Sequence, residues 1–245
     1  MNTSTIGIFF AFLAVFFAIF LEGASLGAFF RVSSLFLILG GTWGATFASY
    51  SIHEWKDFWR HCKGAFQSRE DIDVIRIFTG FLEIARRDGI LALEEEINRI
   101  RNPFLAKGLR LLVDGSDPRT IEEILLESAA MEENAELLSA RIMDTMGGFS
   151  PTVGIIGTVL GLVHVLENLG AGTKALGEGI ATAFIATFYG IAFANLLFFP
   201  IANKLRSYSK VRSKQRQAII RGIMSLQAGE NRRILIDRLR PFSEP

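Results

Sequence analysis

The sequence predicts an all-α membrane protein, with four transmembrane helices in two hairpins and a helical cytoplasmic domain between them. Half of its 245 residues are hydrophobic and the mean hydropathy is positive. That apolar content is gathered into long runs, as lipid-crossing segments require. Four runs, free of Lys, Arg, Asp and Glu except for Glu178 near the start of the fourth, are about as long as or longer than the ~20 helical residues that a bilayer core about 30 Å thick demands. Basic residues, finally, are confined almost wholly to the stretches between and after the two pairs of runs.

The first apolar segment runs from Thr5 to Leu21 and stops before Glu22, and the second runs from Val32 to Ser51. The connector between them holds Gly23, Ser25 and Gly27, the composition of a tight hairpin. Met1 to Ser4 carry no positive charge, and no clean small-residue cleavage pattern follows. The first segment is therefore expected to be retained and not removed as a signal peptide.

Residues 52–145 are polar enough to be soluble. Apolar residues at helical spacing, such as Ile72, Ile75, Phe78, Leu82 and Ala85, predict several short helices there. Asp117 followed by Pro118 reads as a helix start, and Thr120 to Asp144 continues without a breaker as an acidic amphipathic helix. It leads into a third apolar segment, from about Met146 to Leu166. A turn containing Gly170 and Gly172 follows, and then a fourth segment from about Leu176 to Ala202. Lys204 to Ala228 reads as a basic helix, which together with the acidic one extends the second hairpin as a stalk. The expected domains are therefore a hairpin at 1–51, a cytoplasmic helical domain at 52–145, a second hairpin at 146–202 and a cytoplasmic tail at 203–245.

Lys and Arg number 13 in residues 52–145 and 11 in residues 203–245, against one each, Arg31 and Lys174, in the short connectors. The excess of positive charge places the long loop, the tail and both termini in the cytoplasm. A net charge of +1 gives no global attraction to nucleic acid. The lone Cys62 forms no internal disulfide. No constellation of His, Cys and carboxylates recurs near the apolar segments, so neither an enzyme nor a metal or cofactor site is expected.

Small residues fall on one face of the third segment at Gly154, Gly157 and Gly161. On the fourth they fall at Gly179, Ala183, Gly190 and Ala194. Such faces let helix backbones approach, either within one monomer or in a ring of subunits around a central space. Hydroxyls and an amide also concentrate there, at Thr152, Thr158, Thr182, Thr187, Tyr189 and Asn195. They either face something polar or bond carbonyls of their own helices. No Asp, Glu, Lys or Arg lies in the middle of any segment, and His164 sits only toward the end of the third. A partner must therefore bring the carboxylate if ions are conducted. Pro151 opens the third segment and Pro200 lies near the inner end of the fourth; both are hinge candidates, with a helix-start role as the alternative for Pro151.

Four stretches in order then carry a resemblance: Ser34-Leu-Phe-Leu-Ile-Leu-Gly-Gly-Thr-Trp-Gly-Ala-Thr46, Arg86-Arg-Asp-Gly-Ile-Leu-Ala-Leu-Glu-Glu95, Ser150-Pro-Thr-Val-Gly-Ile-Ile-Gly-Thr-Val-Leu-Gly-Leu162, and Ala186-Thr-Phe-Tyr-Gly-Ile-Ala-Phe-Ala-Asn195 running on to Pro200-Ile-Ala-Asn-Lys-Leu205. The sequence resembles, over nearly its whole length, the flagellar stator A subunits, MotA and PomA, of the wider superfamily that includes TolQ and ExbB. The resemblance implies a homo-oligomeric ring, a pentamer, in the bacterial inner membrane. This ring surrounds a dimer of a MotB or PomB type B subunit whose transmembrane Asp binds the ion, and it turns as ions pass and pushes on the rotor protein FliG.

By the same resemblance Thr158, Thr187 and Tyr189 line the ion path, and Arg86, Arg87, Glu94 and Glu95 meet the rotor, where residues alone also allow a solvated helix face. The transported ion is H+ or Na+. Sodium-using relatives tend to carry Thr at the position of Thr158, which leans the reading toward Na+. The nearest rival is a TolQ or ExbB type energiser of envelope processes. Those proteins have three crossings with the N-terminus outside, whereas here two apolar segments precede the large loop.

Overall fold

The computed structural model describes residues 3–23, 26–67, 73–168, 170 and 172–243, and every regular element among the described residues is a helix. Ser25 and Ile72, named above, lie outside them. Helices α1 (Thr3–Leu21), α2 (Leu26–Phe29), α3 (Val32–Ser49) and α4 (Ile52–Phe66) come first. Next are α5 (Val74–Asp88), a 3₁₀ turn Ile90–Ala92, α6 (Leu93–Ile97) and α7 (Pro103–Val113). The chain ends with α8 (Pro118–Glu167), α9 (Thr173–Phe193), a π-helical turn Ala194–Phe198, α10 (Phe199–Gln227) and α11 (Arg232–Ser243). Packing divides the chain into two units, residues 1–68 with 136–206, and residues 69–135 with 207–245.

Among the described residues, three helices are long and apolar enough to cross a membrane: Val32–Ser49, Pro118–Glu167 and Thr173–Gln227. Thr5–Leu21 is a shorter apolar helix. Along α1 the rings of Phe9, Phe10, Phe16, Phe17 and Phe20 are all exposed, a surface that water would not tolerate and hydrocarbon would. Helix α3 buries Ser34, Ile38, Thr42 and Thr46, one residue per turn. Its Gly41 lies against α8, where an added Cβ would sit 2.8 Å from Val153 Cγ1.

Ser51 ends the second apolar segment of the sequence and in the structure caps α4. Its hydroxyl accepts from the Glu54 N–H, and the Glu54 carboxylate accepts in turn from the Ser51 N–H. That backbone contact holds the Glu54 carboxyl below the usual carboxylate range. α4 then stacks Trp55 and Trp59 on Trp43 of α3, with ring centroids 5.5 and 6.1 Å apart.

The second unit has an aliphatic and aromatic core built from Phe78, Leu82, Leu93, Leu109, Ile121, Leu125, Ile219, Ile223, Leu235 and Leu239. The helical spacing that predicts α5 holds, since Phe78 and Leu82 are in that core. Asp117 caps α8 by accepting from the N–H groups of Arg119 and Thr120, with Pro118 in the first turn, where a missing N–H is harmless. Gly222 of α10 faces Phe78, whose ring would lie 2.6 Å from an added Cβ. The acidic side of α8 meets the basic side of α10. The Arg216 guanidinium, buried, pairs with Glu132 at 3.0 Å, and Ser213 donates to Glu133 at 2.9 Å. A buried arginine is tolerable only with such partners.

Candidate functional site

The site is built where α8 packs along α9 within the first unit. Their closeness is set by glycines. A Cβ added at Gly157 would lie 2.6 Å from the Ala186 Cβ, one at Gly161 would lie 2.8 Å from the Ala183 Cβ, and one at Gly154 would lie 3.2 Å from the Ala186 carbonyl oxygen. The small-residue faces of the two segments pack on each other within one chain.

That approach brings the hydroxyls of Thr158 and Thr187 into a direct hydrogen bond. The Thr158 hydroxyl also lies 3.1 Å from the Gly154 carbonyl oxygen and 3.2 Å from the Ala183 carbonyl oxygen. Four oxygens therefore gather between two apolar helices, and they share only two hydroxyl hydrogens. The own-helix bond of Thr158 exists, but it is one of three. Oxygen sets of this kind, uncharged and preformed, can help hold a hard cation beside a carboxylate supplied from elsewhere.

The other polar groups divide differently. Thr152 donates to Phe149 O at 2.8 Å, Thr182 to Glu178 O at 2.8 Å and the Asn195 amide to Ile191 O at 2.9 Å. These three satisfy themselves within their own helices. Tyr189 does not join the threonines; its hydroxyl donates to the Phe29 carbonyl at the end of α2, with its ring against Phe188 and Phe193. It follows Thr187 by two residues, a rotation of about 200° around the helix, and so points to another side.

Pro151 lies inside α8 and does not start it, so the helix-start alternative is corrected: α8 runs unbroken from Pro118 to Glu167. The missing N–H deprives the Gly147 carbonyl of its usual partner. At the same level the buried Ser150 hydroxyl donates to the Gly190 carbonyl across the helix pair at 2.9 Å. Gly190 is pressed there: an added Cβ would sit 2.6 Å from Ser150 O and 3.2 Å from Pro151 Cα. Ser150 is a residue that pattern reading passes over, because a serine beside a proline has no periodic signature.

Pro200 lies in the first turn of α10, just after the π turn, whose wider pairing is seen in the Phe199 N–H bonding the Ala194 carbonyl. A π turn often marks the local rearrangement a helix makes around a proline or at a functional bend. Gly147 of α8 faces Phe199, with 2.6 Å from an added Cβ to the ring. Both prolines thus lie where α8 meets the α9–α10 segment.

In the second unit, Arg86 and Arg87 close α5, and Glu94 and Glu95 follow on α6. All four are exposed. The Arg86 guanidinium donates to the Glu230 carbonyl at 3.4 Å. Arg87 pairs with Asp88 at 2.7 Å, which holds the Asp88 carboxyl below its usual range. Glu94 and Glu95 have no ion-pair partner among the described residues.

Comparison with known proteins places this arrangement. The model of the MotA/TolQ/ExbB proton channel family matches residues 96–218. The chain belongs to that family. Among its relatives it is 35% identical to a motility protein A of Borreliella burgdorferi, across 90% of this chain and 85% of that protein. It is 32% identical to the chemotaxis protein PomA of Vibrio alginolyticus, across 90% of this chain and 87% of that one. Its fold superimposes on a chain of the flagellar MotAB stator complex from Bacillus subtilis with a TM-score of 0.91, at 32% identity, covering 100% of this chain and 96% of that chain. The all-helical layout expected from the sequence is the layout of this family.

Proposed function

We propose that this chain is the A subunit of a flagellar stator, an ion-driven torque generator in the bacterial inner membrane. In this reading the two hairpins of apolar segments give four crossings, both termini face the cytoplasm, and residues 52–145 with the tail 203–245 form the cytoplasmic part. Five copies form a ring around a B-subunit dimer. The observation that carries the reading is the Thr158–Thr187 oxygen cluster, set between segments that have no midplane carboxylate of their own. A B-subunit Asp beside that cluster would complete a binding point for the ion, which the Thr158 hydroxyl tilts toward sodium although the family is described as one of proton channels.

Protonation or cation binding at the Asp would change the charge next to α8 and α9. The weakened stretches at Pro151 and Pro200 let the helix pair respond, and the ring advances. Arg86, Arg87, Glu94 and Glu95 then transmit the step to the rotor protein FliG. Tyr189 belongs to the ion path in this reading through its anchoring of α2 and not by direct contact with the threonines. The test is purification of the chain co-expressed with a one-crossing B subunit that carries an intramembrane Asp. The expected particle is a closed ring with α8 and α9 inside and α1 and α3 outside; a ring with α1 and α3 at its centre refutes the proposal.

A further inference from the structure

The chain reverses direction just beyond α5 at Gly89, whose φ of +86° only glycine adopts without strain. The 3₁₀ turn that follows, Ile90–Ala92, buries none of its residues, and α6 begins with the return to the core. Leu93 goes fully into the core, while Leu91 is 71% exposed and Ile90 is 37% exposed. Single exposed aliphatic residues are ordinary, and the other large apolar side chains exposed in this unit, Leu126, Met131 and Ile234, each stand singly on a helix face. Ile90 and Leu91 differ in being adjacent, raised on a turn, and bordered on both sides by charge. Arg86 and Arg87 precede them and Glu94 and Glu95 follow.

The two sides of that border are prepared differently. The arginines are already tethered, Arg86 to the Glu230 carbonyl and Arg87 to Asp88, so their guanidinium positions are restrained. The glutamates are unpaired among the described residues. We infer that Ile90 and Leu91 are the apolar anchor of the surface by which this chain grips its rotor-side protein partner, with the four charges as an orienting rim. The inference rests on the proposed stator function and adds to it the residues that supply affinity. Apolar centres that exclude water dominate the energy of protein interfaces, whereas rim charges mainly steer and orient. The occupant is a protein surface with an apolar pocket, an acidic group facing Arg86 and Arg87, and a basic group facing Glu94 and Glu95. An anionic membrane is a poor match, because Glu94 and Glu95 would be repelled by it.

The test uses the full chain with its B subunit in motile cells, fluorescently tagged, and measures swimming speed and the dwell time of stator foci at the motor. Leu91→Ala is expected to shorten dwell by about tenfold, and Leu91→Met, which keeps the apolar volume, to retain most of it. Membrane insertion, thermal stability and ion leak in an unplugged background should match the parent in both. Three results overturn the anchor while leaving the stator reading intact. The first is unchanged dwell in Leu91→Ala and Leu91→Asn alongside lost motility in Arg86→Glu. The second is loss of insertion or conduction in Leu91→Ala. The third is a Leu91-dependent loss of binding to phosphatidylglycerol vesicles with dwell at the motor unchanged. If deleting the whole chain leaves motility untouched, the stator reading itself fails.

Discussion

Gly190 offers a sharp test of how the α8–α9 pair is built. Replacing it with Ala places a methyl 2.6 Å from the Ser150 carbonyl oxygen and 3.2 Å from both Gly154 Cα and Pro151 Cα. All three are backbone atoms, so no side chain can swing aside, and relief requires the two helices to move apart. Overpacking of this kind costs about 1–3 kcal/mol. Separation also strains the Ser150 to Gly190 hydrogen bond, worth about 0.5–1.5 kcal/mol. Against these stands the gain of about 1 kcal/mol from alanine over glycine in a helix.

The net is a loss of roughly 1–3 kcal/mol, or a fall in Tm of roughly 2–12 °C for a chain of this size. The control is Gly44→Ala on α3, where nothing lies within 4 Å of the new methyl and a neutral or slightly raised Tm is expected. Thermal unfolding of the detergent-purified protein, followed by intrinsic fluorescence, reads both. An unchanged or raised Tm in Gly190→Ala would show that this glycine does not set the helix approach.

The remaining predictions concern chemistry and motion. Cys62 is half-buried and its thiol is pushed up to about 12 by desolvation, so at pH 8 the folded chain should react with maleimide about three orders of magnitude more slowly than the unfolded chain. The sign follows from the raised value: the fold favours the neutral thiol, so this contribution to stability is intact below the ordinary thiol range and is lost as pH climbs toward 12; rapid labelling of folded protein at pH 8 would contradict the burial. Thr158→Ala removes one oxygen of the four and should weaken ion-driven swimming about tenfold, the equivalent of ~1.4 kcal/mol. If parent cells swim equally well when sodium is replaced by potassium at constant pH, the ion is the proton. Pro151→Ala restores a donor for the Gly147 carbonyl and should slow the motor without preventing assembly; unchanged motility would remove the hinge role. Charge reversal at Arg86 or Glu94 should impair torque while leaving stability untouched, because exposed charges contribute little to it, and normal swimming in both would return them to a solvated surface.

Local chemistry in the sequence foretells the starts and faces of helices. Asp117-Pro118 announces α8 because a carboxylate acceptor followed by a residue without an N–H is what a helix beginning needs, and the Phe78–Leu82 spacing announces the core face of α5. The continuity of α8 through Pro151 is not legible, since a proline in a first turn and one inside a long helix leave the same local pattern; the glycines before it suit either. The pairing of Thr158 with Thr187 depends on the register of two helices joined by a glycine-containing turn, which no local period fixes. The position of Tyr189 away from that pair was open to sequence reasoning, because two residues on a helix nearly reverse direction.

Helix α8 has two unlike faces, and the location of Thr158 between them limits what can meet its hydroxyl. Gly154, Gly157, Gly161 and Val165 are buried, the three glycines lying against α9, whereas Ile155, Ile156, Val159, Leu160 and Val163 are between 45% and 58% exposed. Thr158 is half-buried at the seam. A group approaching the four oxygens over these large aliphatic side chains is best matched by a surface that is itself apolar apart from one polar contact. A transmembrane helix bearing a single carboxylate is such a surface. It would cover the aliphatic face, close the seam around the ion and dispense with any charged residue on this chain. On the proposed function, the absence of midplane charge and the exposed aliphatic face of α8 would be two consequences of one division of labour, in which this chain supplies the oxygens and the partner supplies the charge.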